Sequence, residues 1–411
     1  MVTVDPIPHA LVAADSAAAD ALGAPNYDEF QSDREVWELL QRKPASVLRI
    51  SMPHCAVPRA EDIAEDGSPE SLARATENMA GLRQDPRVQH KAGILWVCEI
   101  TRPERPERPQ IGLGGMARTA EIRTPENPRG TIIRNEGIRE SKVRGRAKLT
   151  AATRVDLGTV NLAVDDASGD FQATLAAHAR STSPSFETTD EAGHRHRVWV
   201  VEDRPGIERL RALLAREPHA YVADGNHRSA AAVMLGYEHF LAVFFPARTM
   251  TIAPYNRLLG RAARAVALPE ALRASFEVHE HGTEAFQPVA THDIGFYDGE
   301  LWWRLRPRPG TYDPADAAQE IDADIVQRKL FAEVFGITDA GDERITYVGA
   351  NRAAGWLQAE VDSGRFAYAV TLPPVTMDQF TRVCLQNRLM PPKSTWFVPK
   401  VRTGLVIALL D

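Results

Sequence analysis

Apolar residues recur along the chain either in short continuous runs or at helical spacing. Ile94–Ile100 and Phe240–Phe245 are short apolar runs rich in β-forming residues, which predicts two buried strands. Pro205–Arg216 places Ile207 and Leu210 on one face, which predicts an amphipathic helix. Because strands and helices of this kind alternate, the pattern predicts a mixed α/β fold.

Three further segments carry local signals. Ser68–Leu82 predicts a helix with Ser68 as its N-cap and Pro69 at its first position. The apolar run Ser46–Ile50, which follows a proline, predicts a strand. Ile111–Met116 is rich in glycine but lacks the third glycine of a dinucleotide-binding G-x-G-x-x-G motif. A strand with tight glycine contacts is therefore favoured there.

Changes in composition divide the chain into four predicted regions. Residues 1–130 form an N-terminal α/β region, and residues 131–259 form a core that contains the sequence D-G-N-H-R. Residues 260–345 are rich in alanine and acidic residues at helical spacing, which predicts a mainly helical insertion or subdomain with one small strand pair. Residues 346–411 return to the α/β pattern and are expected to complete the functional site.

The composition of the 411 residues narrows the classes of function. Hydrophobic residues make up 44% and charged residues 25%, as in soluble globular proteins. The formal net charge of -7 argues against a surface built to grip nucleic acid, although a local basic pocket is compatible with it. The sequence carries neither a cationic leader nor an apolar run of about 18 residues, so no secretion signal and no membrane span are predicted.

The cysteines Cys55, Cys98 and Cys384 stand far apart and form no C-x-x-C pair. Their spacing therefore predicts neither a disulfide framework nor a structural zinc site. A reducing, cytoplasmic location is expected.

The segment around Asp224-Gly225-Asn226-His227-Arg228 carries the strongest chemical signal. A strand leads into a glycine turn and a helix begins at once, and the start of a helix favours phosphate. Gly225 lets a ligand approach the backbone, and Arg228 offers a planar fork of donors. His227 is suited to donate to an oxyanion or shuttle a proton, and Asp224 to accept a hydroxyl proton or hold a metal. The residues alone leave open a plain helix cap in which Arg228 pairs with an acid.

A second cluster surrounds Glu136, which lies among many cations. These form either a phosphate-binding wall or a solvated helix face. Glu136 is accordingly either a general base held ionised by arginines or a member of an ordinary surface ion pair. The cations are Arg134, Arg139, Lys142, Arg144, Arg146, Lys148 and Arg154.

The third cluster is the loop Met390–Phe397. Two prolines fix its backbone, and Lys393 with the hydroxyls of Ser394 and Thr395 would complete an anion site. The alternative is a rigid turn before a final strand, with Lys393 exposed to solvent.

Together these segments resemble an uncharacterised-domain family, the DUF family numbered 1015, over nearly the whole chain. The family looks related to the ParB/sulfiredoxin superfamily, which includes free-serine kinases with a D-G-H-H-R motif. The resemblance implies a ParB/sulfiredoxin-like mixed sheet core with an added helical subdomain. The blocks that carry it are Pro25–Asp28, Arg134–Glu136, Ala152–Arg154, Asp224–Arg228 and Met390–Lys400.

Two positions depart from the family pattern. Asn226 and Asn135 stand where the family usually has histidine, and asparagine cannot transfer a proton as imidazole does. With Asn226 in the motif and no cysteine nearby, sulfiredoxin chemistry is disfavoured.

The sequence therefore predicts a nucleotide-dependent phosphotransferase, a kinase that acts on the hydroxyl of a small serine-like amino acid or related metabolite. The alternatives are a nucleotide-binding switch or hydrolase of the ParB type and an idle member that only binds a metabolite. The predicted catalytic residues are Glu136, Asp224 and His227. The predicted phosphate- and nucleotide-binding residues are Gly225, Asn226, Arg228, Ser229, Arg146, Arg154, Lys393, Ser394 and Thr395.

The resemblance also implies the cofactors and partners. Mg²⁺ with ATP or ADP is expected, and Asp224 is the residue that would hold magnesium. A nucleotide and a small hydroxylated substrate are the expected partners, with no nucleic acid and no membrane. The choice among ATP, ADP and CTP stays open, as does the oligomeric state, with a homodimer as one option.

Overall fold

Strands and helices alternate along the chain in the computed structural model, which describes residues 1–260 and 268–410. The strands in these residues are β1 (Ile7–Ala13), β2 (Val88–Thr101), β3 (Gln110–Arg118), β4 (Ile132–Ile133), β5 (Val155–Asp156), β6 (Val160–Val164), β7 (Phe186–Thr189), β8 (Arg195–Val201), β9 (Ala220–Asp224), β10 (His239–Pro246), β11 (Thr251–Ala253), β12 (Tyr255–Leu259), β13 (Phe276–Gly282), β14 (Ile294–Tyr297), β15 (Trp302–Pro307), β16 (Ile345–Gly349), β17 (Tyr368–Thr371), β18 (Trp396–Val398) and β19 (Val406–Leu409).

Most helices have two to four turns. The α-helices in the described residues are α1 (Ser16–Leu22), α2 (Asp33–Arg42), α3 (Leu48–Ser51), α4 (Pro69–Arg83), α5 (Glu140–Thr153), α6 (Asp170–Ser181), α7 (Arg204–Leu214), α8 (Asn226–Met234), α9 (Leu268–Arg273), α10 (Asp322–Ile325), α11 (Ala354–Asp362) and α12 (Met377–Leu385). A π-helical segment, Val326–Ala332, follows α10 directly.

The first of two compact units is built on a mixed sheet with the path β4-β9-β6-β10-β3-β2-β1-β19-β5, extended by β8 beside β2 and by β7 beside β8. Most neighbouring strands are antiparallel, whereas β10 with β6 and β4 with β9 are parallel. Buried residues of the sheet such as Leu162 and Phe244 pack against Leu175 of α6 and Leu210 of α7. Unit 1 comprises Met1–Arg134, Ile138–Met250 and Pro399–Asp411.

The second unit has its own sheet, with the strand order β13-β15-β14-β17-β12-β16, and a separate ribbon of β11 and β18. Leu357 and Val361 of α11 pack with Leu258 and Trp302 in its core. Unit 2 comprises Asn135–Gly137 and Thr251–Val398.

The mixed α/β fold predicted from the alternating pattern is confirmed. The two apolar runs lie within β2 and β10, and the amphipathic helix is α7. Ser68 caps α4 as predicted, because its hydroxyl accepts the backbone N–H of Ser71 at 3.3 Å, and Pro69 is the first helical residue.

The strand predicted at Ser46–Ile50 is wrong. The segment is a turn that leads into α3, and the hydroxyl of Ser46 accepts the backbone N–H of Leu48 at 3.3 Å. Local hydrogen bonds of this kind compete with strand pairing, and short apolar runs are buried equally well by a helix.

The prediction of a mainly helical segment at 260–345 needs correction. Residues 261–267 lie outside the described residues, and the rest of the segment is mixed, with β13, β14 and β15 as well as α9 and α10. Only Phe276 of β13 is buried, and β15 buries Trp302 and Leu305, so neither strand shows the regular alternation by which a strand is predicted from sequence. The boundaries of the four predicted regions stay predictions.

Across the described part of the chain, no helix has both the length and the apolar character needed to span a membrane.

The glycine-rich segment at Ile111–Met116 lies within β3, as the missing third glycine predicted. A β-carbon on Gly114 would come within 2.1 Å of Trp96 in the neighbouring strand β2. A side chain at this position would therefore displace a buried indole ring.

We expect Gly114→Ala to destabilise the protein by about 1–3 kcal/mol, because the added methyl group overpacks the sheet. Gly145→Ala is the matched control: it lies within α5, and a β-carbon there meets nothing within 4 Å. Since glycine weakens a helix interior, the control should gain roughly 0.5–1 kcal/mol. Urea unfolding followed by circular dichroism measures both changes. Equal midpoints for Gly114→Ala and the wild type would contradict the assigned packing.

Candidate active site

The D-G-N-H-R sequence forms the junction between β9 and α8 in unit 1. Strand β9 ends at Asp224, and Gly225 precedes the helix with a left-handed φ of 96°. The first turn of α8 therefore begins at Asn226, and its positive dipole end lies at the motif. Ala230 and Ala231 of α8 pack against α5, which fixes the position of the turn.

Position 225 requires glycine for two reasons, its left-handed backbone conformation and the close packing around it. A β-carbon added there would lie 3.1 Å from Nε of Arg228 and 3.1 Å from Cα of Val160. A side chain at position 225 would therefore crowd both Arg228 and Val160.

The guanidinium of Arg228 is held by acceptors from three parts of the chain. Its Nη2 donates to Oδ2 of Asp224 at 2.5 Å, and its Nη1 donates to the carbonyl of Thr159 and to Oδ1 of Asn26. The pairing with an acid that the sequence left open is thus present. The buried Nε of Arg228, however, has no hydrogen-bond partner among the described residues.

Lys400 joins the motif to two distant segments. Its ammonium lies 3.1 Å from Oδ2 of Asp28 and 3.1 Å from Oδ1 of Asp224, and its side chain is only 6% exposed. Asn26 donates from Nδ2 to the carbonyl of Val401 at 3.0 Å, close to this ion pair. Three blocks of the family resemblance therefore meet in one buried cluster within unit 1.

The charges of this cluster set the ionisation of its members. Burial alone would raise the pKa of Asp224, but Lys400 and Arg228 outweigh it and hold the pKa below its ordinary value. Burial also raises the pKa of Glu29 to about 7, and Asp28 adds to the rise while Lys400 opposes it. The cluster therefore contains ionised Asp224 beside a glutamate that binds its proton unusually tightly.

The geometry does not fit Asp224 as a direct magnesium ligand. Both carboxylate oxygens of Asp224 are already paired with cationic groups, from Lys400 and Arg228. A ligand of Mg²⁺ needs an oxygen atom that is not already paired with a cation, so Asp224 does not fit this role.

A cleft in unit 1 adjoins the cluster. It is lined by Tyr27, Arg146, Asp156, Gly158 and Arg228, among others. The guanidinium of Arg146 lies over the ring of Tyr27, 4.1 Å from its centroid. Burial raises the pKa of Asp156 to about 6, against the opposing effects of a backbone N–H and of Arg228. A carboxyl with so raised a pKa inside a cleft is a candidate for proton transfer.

Sequence reasoning missed several of these residues. Asn26, Tyr27, Asp28 and Lys400 lie in the blocks that carry the family resemblance, so the signal for them was present. No sequence signal distinguished Asp156, because its raised pKa depends on burial.

His227 of the motif and Ser229, which follows it, both make hydrogen bonds with neighbouring backbone groups. His227 accepts the backbone N–H of Arg139 at Nε2 over 3.1 Å, which leaves Nδ1 as the protonated nitrogen of the neutral ring. Ser229 is fully buried and its hydroxyl donates to the carbonyl of Asn226 at 3.1 Å. We therefore leave Ser229 out of the proposed binding surface.

The cations of the cluster around Glu136 differ in whether they line the cleft. Lys142, Arg144 and Lys148 are exposed on α5, and Arg144 pairs with Glu140 at 2.5 Å, as on an ordinary solvated helix face. Arg146 alone of these four cations lines the cleft. Arg154, at the end of α5, is exposed and donates to the carbonyl of Leu410 at 3.3 Å, so the structure does not bring it to the cleft.

Unit 2 brings the Glu136 segment and the proline loop together. Oε2 of Glu136 accepts the backbone N–H of Lys393 at 3.1 Å, and Nδ2 of the buried Asn135 donates to the hydroxyl of Thr395 at 3.3 Å. Lys393 has a left-handed φ of 64°, a strained value for a residue with a side chain. The hydroxyl of Ser394 donates to the carbonyl of Pro391 at 2.7 Å, which closes the loop.

Arg257 is a buried cation of this second cluster that sequence reasoning did not identify. Its Nη2 donates to the carbonyl of Lys393 at 3.2 Å. Burial lowers the pKa of Arg257, and the charge of Glu136 is among the influences that oppose this. Glu136 therefore has a buried cation near it, although not one of the arginines in its own segment.

A family model described as "Protein of unknown function (DUF1015)" matches residues 7–330. The chain therefore belongs to the DUF1015 family, which confirms the predicted relationship; the block Met390–Lys400 lies outside the matched residues. Among curated proteins, none matches the chain.

Solved structures that resemble the chain do so distantly. A conserved hypothetical protein from Pyrococcus furiosus is 12% identical, with a TM-score of 0.37 over 67% of this chain and 92% of that one. A free serine kinase in complex with AMP is 12% identical, with a TM-score of 0.39 over 67% and 89%. SbnI from Staphylococcus aureus, truncated at its C-terminus, is 10% identical, with a TM-score of 0.38 over 71% and 87%.

Replacing Lys400 tests the buried cluster. We expect Lys400→Met to cost about 3–5 kcal/mol of unfolding free energy, because it leaves two buried carboxylates short of a cation. Lys148→Met, which removes an exposed lysine, should change stability by less than about 0.5 kcal/mol. Chemical denaturation of both variants measures the difference. An equal loss of unfolding free energy in the two variants would mean that the buried ion pairs of Lys400 do not stabilise the fold.

The raised pKa of Glu29 predicts a pH-dependent stability. A carboxyl that binds its proton more tightly in the folded chain stabilises it fully below pH 4.5, and this contribution is lost as the pH rises through about 7. Glu29→Gln should therefore flatten the decline in the urea midpoint across this window. Glu38→Gln, an exposed change on α2, should keep the wild-type profile. A profile unchanged by Glu29→Gln would contradict the assignment.

Proposed function

We propose that the protein is a nucleotide-dependent phosphotransferase that phosphorylates the hydroxyl of a small serine-like amino acid or related metabolite. The proposal is carried by one observation: the unpartnered, buried Nε of Arg228 beside the turn at Gly225. A buried N–H without an acceptor is unfavourable, so this group points to a ligand oxygen.

Gly225 lies next to this donor, since a β-carbon there would stand only 3.1 Å from Nε of Arg228. A phosphate oxygen that accepts from Nε would therefore lie against the backbone of the turn, where no side chain of residue 225 intervenes. The first turn of α8 adds the partial positive charge that favours anions. Because Asp224 and the carbonyl of Thr159 already hold the guanidinium, it needs little reorganisation on binding.

The cleft in unit 1 has an accessible volume of about 50 Å³, so it would take only part of a nucleotide. The ring of Tyr27 and the side chains of Leu149 and Leu157 offer apolar surface, and Arg146 adds a cation. Polar side chains such as Thr150 and Thr153 line it as well. Arg146 and Arg228 are therefore the cations that we assign to the nucleotide.

For the acceptor we assign the general base to Glu136. In the proposed step the hydroxyl oxygen forms a bond to the transferred phosphorus, the bond from phosphorus to the leaving oxygen breaks, and the hydroxyl proton passes to the general base. Its carboxylate is oriented by the backbone N–H of Lys393. Asp224 is less suited to this role, because its pKa is lowered and its oxygens are paired with cations.

Phosphorus NMR tests the activity. The full chain is incubated with ATP, ADP or CTP, each with Mg²⁺, and with a panel of hydroxylated amino acids including serine. We expect a phosphomonoester signal with at least one acceptor. Nucleotide binding without a phosphorylated acceptor would overturn the kinase proposal, and release of inorganic phosphate alone would favour the hydrolase alternative.

Glu136→Gln should lower the turnover rate by about 10²–10⁴-fold and leave nucleotide affinity nearly unchanged, because it removes only the proton acceptor. Glu140→Gln is the matched control, since Glu140 is an exposed residue at the start of α5. Asp156→Asn is measured in parallel. Full activity of Glu136→Gln together with loss of activity in Asp156→Asn would transfer the base role to Asp156.

A further inference from the structure

A cluster of potential metal ligands lies in unit 1 and contains none of the residues assigned above. A carboxylate oxygen of Asp33, a ring nitrogen of His54 and Sγ of Cys55 all lie within 4.8 Å of one another. Asp33 is the first residue of α2, whereas His54 and Cys55 lie in the tight turn Pro53–Cys55. His54 and Cys55 are buried, and the side chain of Asp33 is 56% exposed.

The imidazole of His54 lacks the partners that a purely structural histidine would have. Its Nε2 lies 3.2 Å from Oδ1 of Asp33, and its Nδ1 lies 3.5 Å from Oδ1 of Asp66. The side chain is 1% exposed, yet Nδ1 makes no hydrogen bond with any described residue. The ring therefore lies between two carboxylates, and Nε2 faces Asp33, another member of the cluster.

From this geometry we propose that Asp33, His54 and Cys55 bind a divalent transition metal of the zinc type. Carboxylate, imidazole and thiolate are all zinc ligands, with bonds of about 2.0–2.3 Å. Tetrahedral bonds of about 2.0–2.1 Å set a nitrogen and an oxygen ligand about 3.3 Å apart, close to the 3.2 Å between Nε2 of His54 and Oδ1 of Asp33. Three protein ligands leave a fourth position for water.

Asp66 completes the arrangement as a positioning residue. With the metal on Nε2, the proton of His54 would lie on Nδ1, which faces the carboxylate of Asp66. A carboxylate behind a metal-bound histidine fixes the ring and strengthens it as a ligand. Asp66 also lies 3.8 Å from Nη2 of Arg146, which offsets part of the negative charge around the site.

Metal binding at this site would require Cys55 to lose its proton. Burial raises the pKa of the Cys55 thiol to about 12, and the charges of Asp33 and Asp66 add to the rise.

Cobalt spectroscopy tests the site in the full chain, produced without a polyhistidine tag, stripped with a chelator and kept reduced. Titration with Co²⁺ should give a saturable sulfur-to-cobalt charge-transfer band at one ion per chain, and Zn²⁺ should abolish it. Cys55→Ser should remove the band. Cys98→Ser and Cys384→Ser, which alter the other two buried cysteines, should keep it.

Asp33→Asn and Asp66→Asn keep the proposal testable if Cys55→Ser fails to fold, because both aspartates are about half exposed. Asp66→Asn should weaken Co²⁺ binding about 10–100-fold, and Asp33→Asn at least as much. Absence of the band in the wild type would overturn the proposal. So would a band that survives Cys55→Ser, or Co²⁺ affinity unaffected by Asp33→Asn.

Discussion

The ammonium group of Lys400 lies between the carboxylates of Asp28 and Asp224, almost out of reach of solvent. Moving a charged group out of water costs several kcal/mol, so buried ions are found paired with opposite charges at hydrogen-bonding distance. Arg228 supplies the second cation that balances the two aspartates. The position of the turn at Gly225, and with it the start of α8, depends on this arrangement.

The same arrangement would allow Arg228 both to hold the turn and to bind the proposed phosphate. Its Nη1 and Nη2 donate to the carbonyl of Thr159 and to Asp224, whereas its buried Nε, next to Gly225, has no hydrogen-bond partner among the described residues. A donor fixed in this way loses little entropy when a ligand oxygen arrives. The pairing of Arg228 with an acid, which the sequence left open, is therefore compatible with the proposed anion site, although no side chain caps α8.

Features that depend on neighbouring residues could be predicted from the sequence, whereas contacts between residues far apart in the chain could not. A strand, a glycine and a helix start were readable at Asp224–Arg228, because each depends on neighbouring residues. The pairing of Lys400 with Asp224 spans 176 positions, and the raised pKa of Asp156 depends on burial, so neither has a local signal. Likewise, the Asp33, His54 and Cys55 cluster has no recognised metal-ligand spacing, because only folding brings α2 to the turn at Pro53.

Hydrogen–deuterium exchange with and without saturating ATP tests the central claim most directly, because it locates the bound phosphate without relying on turnover. If a phosphate oxygen binds at Gly225, the peptide that covers residues 224–230 should exchange more slowly in the presence of ATP. Peptides from the exposed face of α4 should be unaffected and serve as an internal control. Demonstrable ATP binding with unchanged exchange at residues 224–230 would contradict the assignment of this turn as the phosphate site.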